Sequence, residues 1–296
     1  MSNLEVQSEI YDEKDTFTKV TTLNNSNSLA LLEFLQDAGD EVEVDEDGDI
    51  LVPRTKNKLE IEFSTSTTIP HVGLQIWRGA LLLADFIQSH SEIFKDKIVL
   101  ELGSGVGLGG VVAGMHAKEV ICSDNSITVR NAKCFRGYLT IAEYIDKCGI
   151  LQLIKRNINR NKKLLKGKVG VSTFDFYQQE WSVHLTRKIK QSDVIIAADV
   201  IYEDSLTEAF VECITKILQT PPVKRFYLAL EKRYVFTMAH LDSVAPCYEY
   251  FLKCLRNKWS KYPMCNWSLK ELKTDFKQYF NYVRTKELVL WEILVQ

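Results

Sequence analysis

The sequence predicts an α/β fold built on a Rossmann-like sheet that is open, doubly wound and mostly parallel. From His71 onward, helical and strand patterns alternate along the chain. An apolar strand pattern at 97–102 runs into a glycine-rich turn, and a helix pattern and a second strand pattern at 119–124 follow. This order forms a βαβ unit, and open sheets built from such units bind ligands beyond the carboxyl ends of their strands.

Residues 1–70 are predicted to form a β-rich extension with a partly disordered start. Ser28 to Gly39 is interpreted as a short helix, 41–53 as a hairpin that turns at Asp47-Gly48, and the alternation of Leu59, Ile61 and Phe63 as a strand. These elements are too few to form a core of their own. We therefore expect the extension to pack on the domain that follows it, at 71–296.

The 71–296 domain begins with a predicted helix at 72–90. Another helix pattern covers 205–218, between two of the predicted strands. The last two strands are close enough to form an antiparallel hairpin through Thr285-Lys286. The predicted strands of this domain lie at 97–102, 119–124, 168–174, 193–199, 225–230, 279–284 and 288–295.

Composition limits the class of protein without naming it. The chain has 296 residues, 46% of them apolar, and a formal net charge of -2 that neither requires nor excludes a nucleic-acid partner. Its seven cysteines form no Cys-x-x-Cys pair, a pattern that suits a reducing compartment such as the cytosol or nucleus. The longest apolar runs carry carboxylates and are too short to span a bilayer, so no membrane association is expected.

The turn after the first strand of the domain fits two cofactor loops. Gly105, Gly107 and Gly110 match the dinucleotide fingerprint, with Asp124 at 19 residues beyond Gly105. The strand ends at Leu102, however, so a loop that starts at Gly103 follows the strand more directly. In that frame the carboxylate of Glu101 lies beside the loop, where it would repel a pyrophosphate and attract an amino group and a sulfonium.

A second polar cluster ends the strand at 193–199. Asp199 and Tyr202 follow this apolar strand, and we expect both at the sheet edge that carries the glycine loop. A carboxylate and a phenol there would face a substrate that is brought to the cofactor. From these residues alone, a helix cap at Asp199 and a packing role for Tyr202 remain the alternative.

Several stretches together resemble one enzyme family: VGLQIWRGALLLADFI, VLELGSGVGLGG, LIKRNINRN, AADVIYEDSLTEAF and LALEKRYVFTMAHLD. Over about 70–296 the chain is similar to the family-sixteen protein lysine methyltransferases, seven-stranded class I enzymes that use S-adenosylmethionine. The most specific element is the Asp-x-x-Tyr signature at Asp199 and Tyr202. The resemblance implies the strand order 3-2-1-4-5-7-6, with the hairpin reversed at one edge.

The resemblance also assigns site residues. Asp199 and Tyr202 would serve the catalytic, substrate-facing side, where Asp199 captures and orients a lysine and Tyr202 walls its channel. Phe176 replaces the tryptophan that the family commonly carries after the third strand. The expected cofactor-binding residues are Trp77, Glu101, Gly103, Ser104, Gly105, Gly107, Asp124, Phe176 and Ala198.

One segment departs from the family pattern. Asn157 of the Arg-Asn-Ile helix lies 33 positions after Asp124, whereas the family reaches this helix within about a dozen residues. Residues 126–149 are therefore interpreted as an atypical insertion. Two explanations stay open, an inserted helix beside the cofactor and an artefact of the reading frame such as an unspliced intron.

The resemblance implies a non-histone protein substrate, such as a chaperone or a nucleic-acid-associated protein, and a nuclear setting that the cytoplasm could share. We expect a monomer, and the histidines show no spacing of metal ligands, so we expect no metal. Two alternatives remain. An RNA methyltransferase is suggested by the basic runs 155–168 and 256–263, and the other alternative is a non-catalytic adapter with a methyltransferase fold.

Overall fold

A three-stranded and a seven-stranded sheet dominate the computed structural model, which describes residues 5–13, 16–23, 27–36, 43–44, 50–51, 55–125, 149–237 and 242–295. The strands are β1 (Glu5–Val6), β2 (Lys19–Thr22), β3 (Ser28–Gln36), β4 (Glu43–Val44), β5 (Ile50–Leu51), β6 (Thr55–Phe63), β7 (Thr67–Thr68), β8 (Ile98–Leu102), β9 (Glu119–Asp124), β10 (Lys168–Thr173), β11 (Val194–Ala198), β12 (Arg225–Glu231), β13 (Val235–Thr237), β14 (Asp242–Val244), β15 (Trp267–Leu272) and β16 (Leu288–Val295). The α-helices are α1 (Arg78–Ser89), α2 (Ser91–Phe94), α3 (Leu108–Ala113), α4 (Ile150–Arg160), α5 (Val183–Gln191), α6 (Asp204–Leu218) and α7 (Pro246–Trp259), and 3-10 helices cover Glu9–Tyr11 and Ile69–Leu74.

The seven-stranded sheet has the order β10-β9-β8-β11-β12-β16-β15. Numbered along the domain this is 3-2-1-4-5-7-6, the order that the resemblance implied. The strands from β10 to β12 are parallel, and β16 is antiparallel to both of its neighbours. The reversed strand is therefore the seventh, one position in from the edge.

The predicted sixth strand at 279–284 is wrong, and so is the hairpin through Thr285-Lys286. The backbone N–H groups of Tyr279 and Phe280 donate to Asp85 of α1 at 2.7 and 3.0 Å instead of to a strand. The edge strand is β15, which pairs antiparallel with β16. Its side chains alternate between partly buried and exposed, as expected at a sheet edge.

Helices cover both faces of this sheet, as a doubly wound fold requires. One apolar cluster joins the sheet to α1, α3 and α4, and the other joins it to α5, α6 and α7. Buried residues of the first cluster include Leu81, Val111 and Ile154, and those of the second include Leu185, Phe210 and Phe251.

The N-terminal residues form an antiparallel sheet of β2, β3 and β6. The predicted helix at Ser28–Gly39 is wrong, because β3 pairs along its length with β6. The apolar run fits both periods, and long-range pairing decides between them. The strand through Leu59 to Phe63 is confirmed, and β4 pairs with β5 as the predicted hairpin required, although its turn lies outside the described residues.

The extension shares the apolar cluster of α1, α3 and α4. Buried side chains of β3 and β6 enter it, including Ala30, Leu32, Leu59 and Ile61. The domain boundary at residue 70 stays a prediction. Residues 1–4 and 126–148, where a partly disordered start and most of the insertion were predicted, lie outside the described residues.

The helix predicted at 72–90 begins later, at Arg78. Ile69–Leu74 is a 3-10 helix that contains Pro70 and Gly73, and the chain is extended at Trp77. The first N–H groups of an α-helix lack partners within the helix. Asp199, at the end of β11, accepts one of them, from Gly79 at 2.7 Å.

Asparagine side chains attach α4 to β6. Asn157 Oδ1 accepts the backbone N–H of Glu62 at 2.8 Å, and its Nδ2 donates to the Glu62 carbonyl at 3.0 Å. One turn later, Asn161 makes the same pair of bonds with Glu60, at 2.9 and 2.7 Å. The two amides therefore occupy the free edge of β6 as a neighbouring strand would, and they fix the extension to the domain.

We expect Asn157→Ala to destabilise the fold by about 2–4 kcal/mol, because it leaves buried backbone groups of Glu62 and the Val106 carbonyl without partners. Asn159→Ala, on the exposed face of the same helix, is the matched control and should change stability by less than about 0.5 kcal/mol. Urea unfolding measures both variants. Equal stabilities would show that the amides do not hold the extension.

In the part of the chain that the structure describes, we find no helix with the length and apolar character needed to cross a bilayer.

Candidate active site

The turn between β8 and α3 is shaped by glycines in the left-handed region. Gly103, Gly105 and Gly107 have φ angles of 64°, 55° and 83°. A Cβ on Gly103 would lie 2.6 Å from Val200 Cγ1, and one on Gly105 would lie 2.9 Å from the carbonyl oxygen of Gly73. The sequence thus needs glycine at both positions to bring backbone N–H groups close to a ligand.

Gly107 is not among the described residues that line the cleft, and its assignment as a cofactor-binding residue stays a prediction. The site of its Cβ faces Ile154 of α4 at 3.1 Å. Gly107 occupies the N-cap position of α3, so its left-handed φ turns the chain into the helix. Gly107 therefore contributes to the shape of the loop.

Glu101 lies beneath the glycine loop and lines the cleft. Its side chain is 4% exposed and lies against Gly109 and Gly110 of α3. Burial raises the pKa of Glu101 to about 7. Contacts of the carboxylate with the side chains of Ser104 and Cys122 and with the backbone of Gly110 oppose this effect. Glu101 and Ser104 both belong to the lining of the cleft, so this wall offers a carboxylate and a hydroxyl group to a cationic or polar ligand.

Asp124 ends β9 next to the loop. Its Oδ2 accepts the backbone N–H of Gly105 at 2.8 Å, and its Oδ1 accepts that of Asn125 at 2.7 Å. Burial raises the pKa of Asp124 to about 6. Each carboxylate oxygen keeps capacity for a further hydrogen bond, as the pair of hydroxyls on a ribose requires.

Trp77 lines the cleft from the start of α1. Its indole Nε1 donates to the carbonyl of Val72 at 2.9 Å, and the guanidinium of Arg233 lies 4.4 Å from the ring centroid. The ring is therefore fixed between the 3-10 helix and the end of β12. Ala198, the last residue of β11, lines the same cleft, as predicted.

Aromatic side chains close the end of the cleft beyond β10. Phe176 packs edge-on against Phe174 and Phe210, at centroid distances of 5.4 and 5.3 Å. Sequence reasoning missed Asp175, which lies between the two phenylalanines in sequence, is 6% exposed and lines the cleft. A carboxylate between two aromatic residues after a strand was the available signal. Val200, which contacts the site of a Gly103 side chain, was also missed.

Asp199 occupies the centre of the site with a left-handed φ of 49°. Its Oδ2 accepts the N–H of Gly79 at 2.7 Å, and its Oδ1 accepts that of Glu231 at 3.0 Å. Burial raises the pKa of Asp199, and the charge of Arg233 opposes this effect. The helix cap that the sequence left as an alternative is thus present, on α1, and the same carboxylate also lines the cleft.

Tyr202 stands at the mouth of the cleft with 40% of its surface exposed. Burial of its hydroxyl and the negative charge of Asp124 raise the pKa of Tyr202 to about 12. The phenol is therefore neutral at physiological pH. Tyr177, which sequence reasoning also missed, lines the same mouth and shares a hydrogen bond of 3.0 Å with Ser205.

A cleft of about 1110 Å³ joins these residues at the carboxyl ends of β8 to β11. Ligand pockets for small molecules usually enclose about 300–1,000 Å³, so the cleft has room for a cofactor and a substrate side chain. Residues of the extension, including Asn27 and Glu62, form part of its wall. The donors, carboxylates and aromatic rings fit S-adenosylmethionine: a loop for the amino acid part, Asp124 for the ribose and Phe176 for the adenine.

The structure places the two arginines of the basic run at 155–168 in contact with the extension. Arg156 donates to both carboxylate oxygens of Glu62, at 3.0 and 2.9 Å, and Arg160 lies 3.4 Å from the same carboxylate. Burial would raise the pKa of Glu62, but these bonds and one from Asn27 hold it below its ordinary value. The two arginines therefore attach α4 to the extension, which removes part of the support for a nucleic-acid substrate.

We expect the affinity for S-adenosylmethionine to increase with pH between about 5.5 and 7.5. The ligand is cationic, so it binds best when Glu101 and Asp124 are ionised, and burial raises the pKa values of these carboxyls to about 7 and about 6. The gain should be about tenfold or more, because most Glu101 is protonated at the lower pH.

Calorimetry across this range measures the pH effect. Glu101→Gln should remove the part of the dependence near pH 7 and leave the part near pH 6, which belongs to Asp124. An affinity that stays constant with pH would show that neither carboxylate faces the cationic ligand.

Comparison with known proteins identifies the family. A profile of the family described as lysine methyltransferase matches residues 54–135 and 136–246. Human methyltransferase-like protein 22 is 28% identical over 254 residues, which cover 80% of this chain and 58% of that protein. Calmodulin-lysine N-methyltransferase of Arabidopsis thaliana is 31% identical over 147 residues, 48% of this chain and 40% of that protein. This chain therefore spans less than two thirds of the length of either relative.

Among solved structures, N-methyltransferase NodS of Bradyrhizobium japonicum, in complex with S-adenosyl-L-homocysteine, covers 74% of this chain and 85% of its own. Its sequence identity is 14% and its TM-score 0.39, which is too low to carry an argument. The family assignment depends on the profile, which covers more than half of the chain, including the glycine loop and the Asp199-x-x-Tyr202 signature. The chain belongs to the lysine methyltransferase family, and its structure combines a seven-stranded sheet with a cleft at the carboxyl ends of the central strands.

Proposed function

We propose that the chain is a protein-lysine N-methyltransferase that acts on a non-histone protein with S-adenosylmethionine as the methyl donor. One observation carries the proposal. The cleft joins a cofactor wall, made by Glu101, the loop from Gly103 and Asp124, to a second wall that carries Asp199 and Tyr202. A methyl donor and an incoming amine could therefore meet inside a single cavity.

The bound cofactor supplies a sulfonium methyl group that an amine lone pair can attack in line. The residues of the chain contribute mainly by positioning, since no covalent intermediate is needed. The carboxylate of Asp199 is held by two backbone N–H groups and keeps lone pairs that can accept from an ammonium. Its fixed direction would orient the substrate lysine toward the cofactor wall.

A lysine ammonium has a reference pKa of about 10.4 and no lone pair, so it loses a proton before it reacts. Transfer into the cleft lowers this pKa by desolvation, whereas the negative charge of Asp199 raises it. Asp199 is therefore better suited to capture of the lysine than to its deprotonation. Tyr202, with its pKa raised to about 12, stays protonated and offers its ring face to the cation. We propose that the proton leaves through water.

The proposal is tested by incubating the purified chain with cell extract and S-adenosylmethionine that carries a labelled methyl group. We expect label on a lysine of a protein band, located by mass spectrometry. The band should be missing with Gly105→Ala, which distorts the cofactor loop. Label on RNA or on another residue type would overturn the proposal.

If no protein in the extract becomes labelled, that result can be interpreted only when cofactor binding has been measured. Calorimetry with S-adenosylmethionine therefore accompanies the labelling experiment. Binding without any transfer to protein, across extracts from several cell types, would favour an adapter with a methyltransferase fold. Failure to bind would contradict both the cofactor site and the proposed activity.

A further inference from the structure

The fold collects lysines from separate parts of the chain at the end of the sheet opposite the cleft. Lys97, Lys118 and Lys168 stand at the starts of the neighbouring strands β8, β9 and β10. Their backbones are joined directly, since Lys118 N donates to the Lys97 carbonyl at 3.0 Å and Lys168 N to the Lys118 carbonyl at 3.1 Å. We name this surface the basic edge, and it comprises Lys95, Lys97, Lys118, Lys162, Lys163, Lys166 and Lys168.

The loop that leads from α4 into β10 belongs to the same surface. Lys166 N donates to the Gly114 carbonyl at 3.0 Å, so the loop lies beside the end of α3. The charge of Lys166 adds to burial in lowering the pKa of His116 to about 4, which places this lysine close to the turn before β9. The lysines at the end of the run, from 162 to 168, and three lysines from two distant segments therefore form one surface.

The charges of the basic edge are exposed and uncompensated. All seven lysines are exposed, and within the described ranges none of them forms an ion pair. Two acids lie at the starts of the neighbouring strands: Glu119 is paired with Lys188 at 2.5 Å, and Asp193 accepts the backbone N–H of Ile98 at 2.9 Å. Asp96 is also exposed, between Lys95 and Lys97. Seven lysines outnumber Asp96 and Asp193, so the basic edge keeps a positive excess although the whole chain has a formal charge of -2.

The cleft at the other end of the sheet has the opposite character. Its lining carries Asp124, Asp175, Asp199 and Glu203, which suits a cationic substrate side chain. A protein substrate that presents lysine to this cleft has no reason to contact the basic edge. The two ends of the sheet therefore fit two different partners.

The chemistry of the basic edge points to a polyanion with closely spaced charges. Neighbouring strands lie about 4.8 Å apart, so long lysine side chains on three strands can reach successive phosphates of one backbone. The exposed large apolar side chains of the described residues lie elsewhere, so the surface lacks the apolar face that membrane insertion uses. It also has no aromatic side chain on which bases could stack.

We propose that the basic edge binds nucleic acid through its phosphates, without reading sequence, while the cleft faces a protein. Nucleic-acid binding at the basic edge goes beyond the proposed function, and only its role in bringing the cleft to a protein rests on that function. Nucleic acid held at this edge would bring the cleft to proteins bound on the same strand or duplex. The surface is distant from the methyl-transfer site, so nucleic acid is a docking partner here and not the methyl acceptor.

The first experiment measures fluorescence anisotropy of a labelled mixed-sequence DNA duplex of about 30 base pairs as the full chain is added. Neutralisation of about four to six phosphates predicts a slope of log affinity against log salt of about -4 to -5. Changing the base sequence should leave the affinity unchanged. Absence of binding at about 50 mM salt would overturn the proposal.

Charge reversal assigns the binding to this surface. The triple variant Lys97→Glu, Lys118→Glu, Lys168→Glu should bind at least about 30-fold more weakly, with a salt slope reduced by about 3. The matched control, Lys253→Glu, Lys273→Glu, Lys286→Glu, carries the same charge change on exposed lysines outside the basic edge and outside the run at 256–263, and should lose less than about threefold. Equal losses in both variants would overturn the assignment.

Four further measurements distinguish this proposal from its alternatives. Polyglutamate that competes as well as DNA would identify an acidic protein as the partner and overturn the nucleic-acid proposal. S-adenosylmethionine binding and thermal stability should be equal in the two triple variants, which excludes misfolding as the cause. Protein methylation in nuclease-treated extract should also be equal in both, so failure of the proposed function and failure of this inference give different results.

Discussion

Replacing Gly105 with alanine is expected to weaken S-adenosylmethionine binding by about 10- to 100-fold. The new Cβ would lie 2.9 Å from the carbonyl oxygen of Gly73, which belongs to the backbone and has little freedom to move. The residue would also keep a φ near 55°, a conformation that costs a non-glycine residue about 1–2 kcal/mol. Relief of either strain moves the loop N–H groups away from the ligand.

Gly170→Ala is the matched control, because a Cβ at this position of β10 meets no atom within 4 Å. We expect it to keep full affinity and stability. Calorimetry gives the affinity, and thermal unfolding shows whether each variant is folded. If Gly105→Ala bound the cofactor as tightly as Gly170→Ala, the loop would not be the ligand cradle.

The parts of the fold that the sequence predicted are those in which local pattern and final environment agree. The strands β8, β9 and β11 are buried on both faces, so their apolar runs are continuous and end at charged or glycine residues. The glycine loop was recognisable because a left-handed turn restricts the residue type. These features predicted from the sequence that Gly103, Gly105 and Asp124 would lie together, and all three line the cleft.

The errors fall where distant contacts decide the local structure. β3 has an apolar run that fits either a helix or a strand, and its pairing with β6 selects the strand. β15 alternates polar and apolar residues too weakly to stand out, while residues 279–284 look like a strand and instead pack around Asp85. The sequence of neither segment determines its secondary structure alone, since each depends on the distant residues with which it pairs or packs.

For the site residues too, local sequence predicted some features, and distant contacts determined the others. Residue type and position predicted that Asp199 would reach the cleft, but its two backbone partners come from α1 and β12, far away in sequence. The shift of the start of α1 from 72 to Arg78 has the same origin, because Asp199 accepts the N–H of Gly79. A single carboxylate thus joins the substrate wall to the helix that carries Trp77.

Asp199→Asn is expected to lower kcat/KM for methyl transfer by about 100-fold, because a hydrogen bond to a charged group contributes about 1.5–3 kcal/mol. Asparagine tolerates the left-handed φ of 49° and keeps one acceptor oxygen for the backbone. The fold should therefore lose only about 1–2 kcal/mol of stability. Asp199→Ala removes both acceptors, from Gly79 and Glu231, and should cost about 3–5 kcal/mol.

The comparison of these variants separates the two roles of the carboxylate. A residue that only caps α1 would lose activity in proportion to stability, so Asp199→Asn would remain nearly as active as the parent chain. A residue that also orients the lysine loses activity in Asp199→Asn while S-adenosylmethionine binding, followed by calorimetry, stays within about threefold. Asp204→Asn, an exposed carboxylate at the start of α6, controls for loss of charge near the cleft and should leave both quantities unchanged. Full turnover by Asp199→Asn on a true substrate would reduce Asp199 to a helix cap, and lysine capture would then have to be assigned to another group in the cleft.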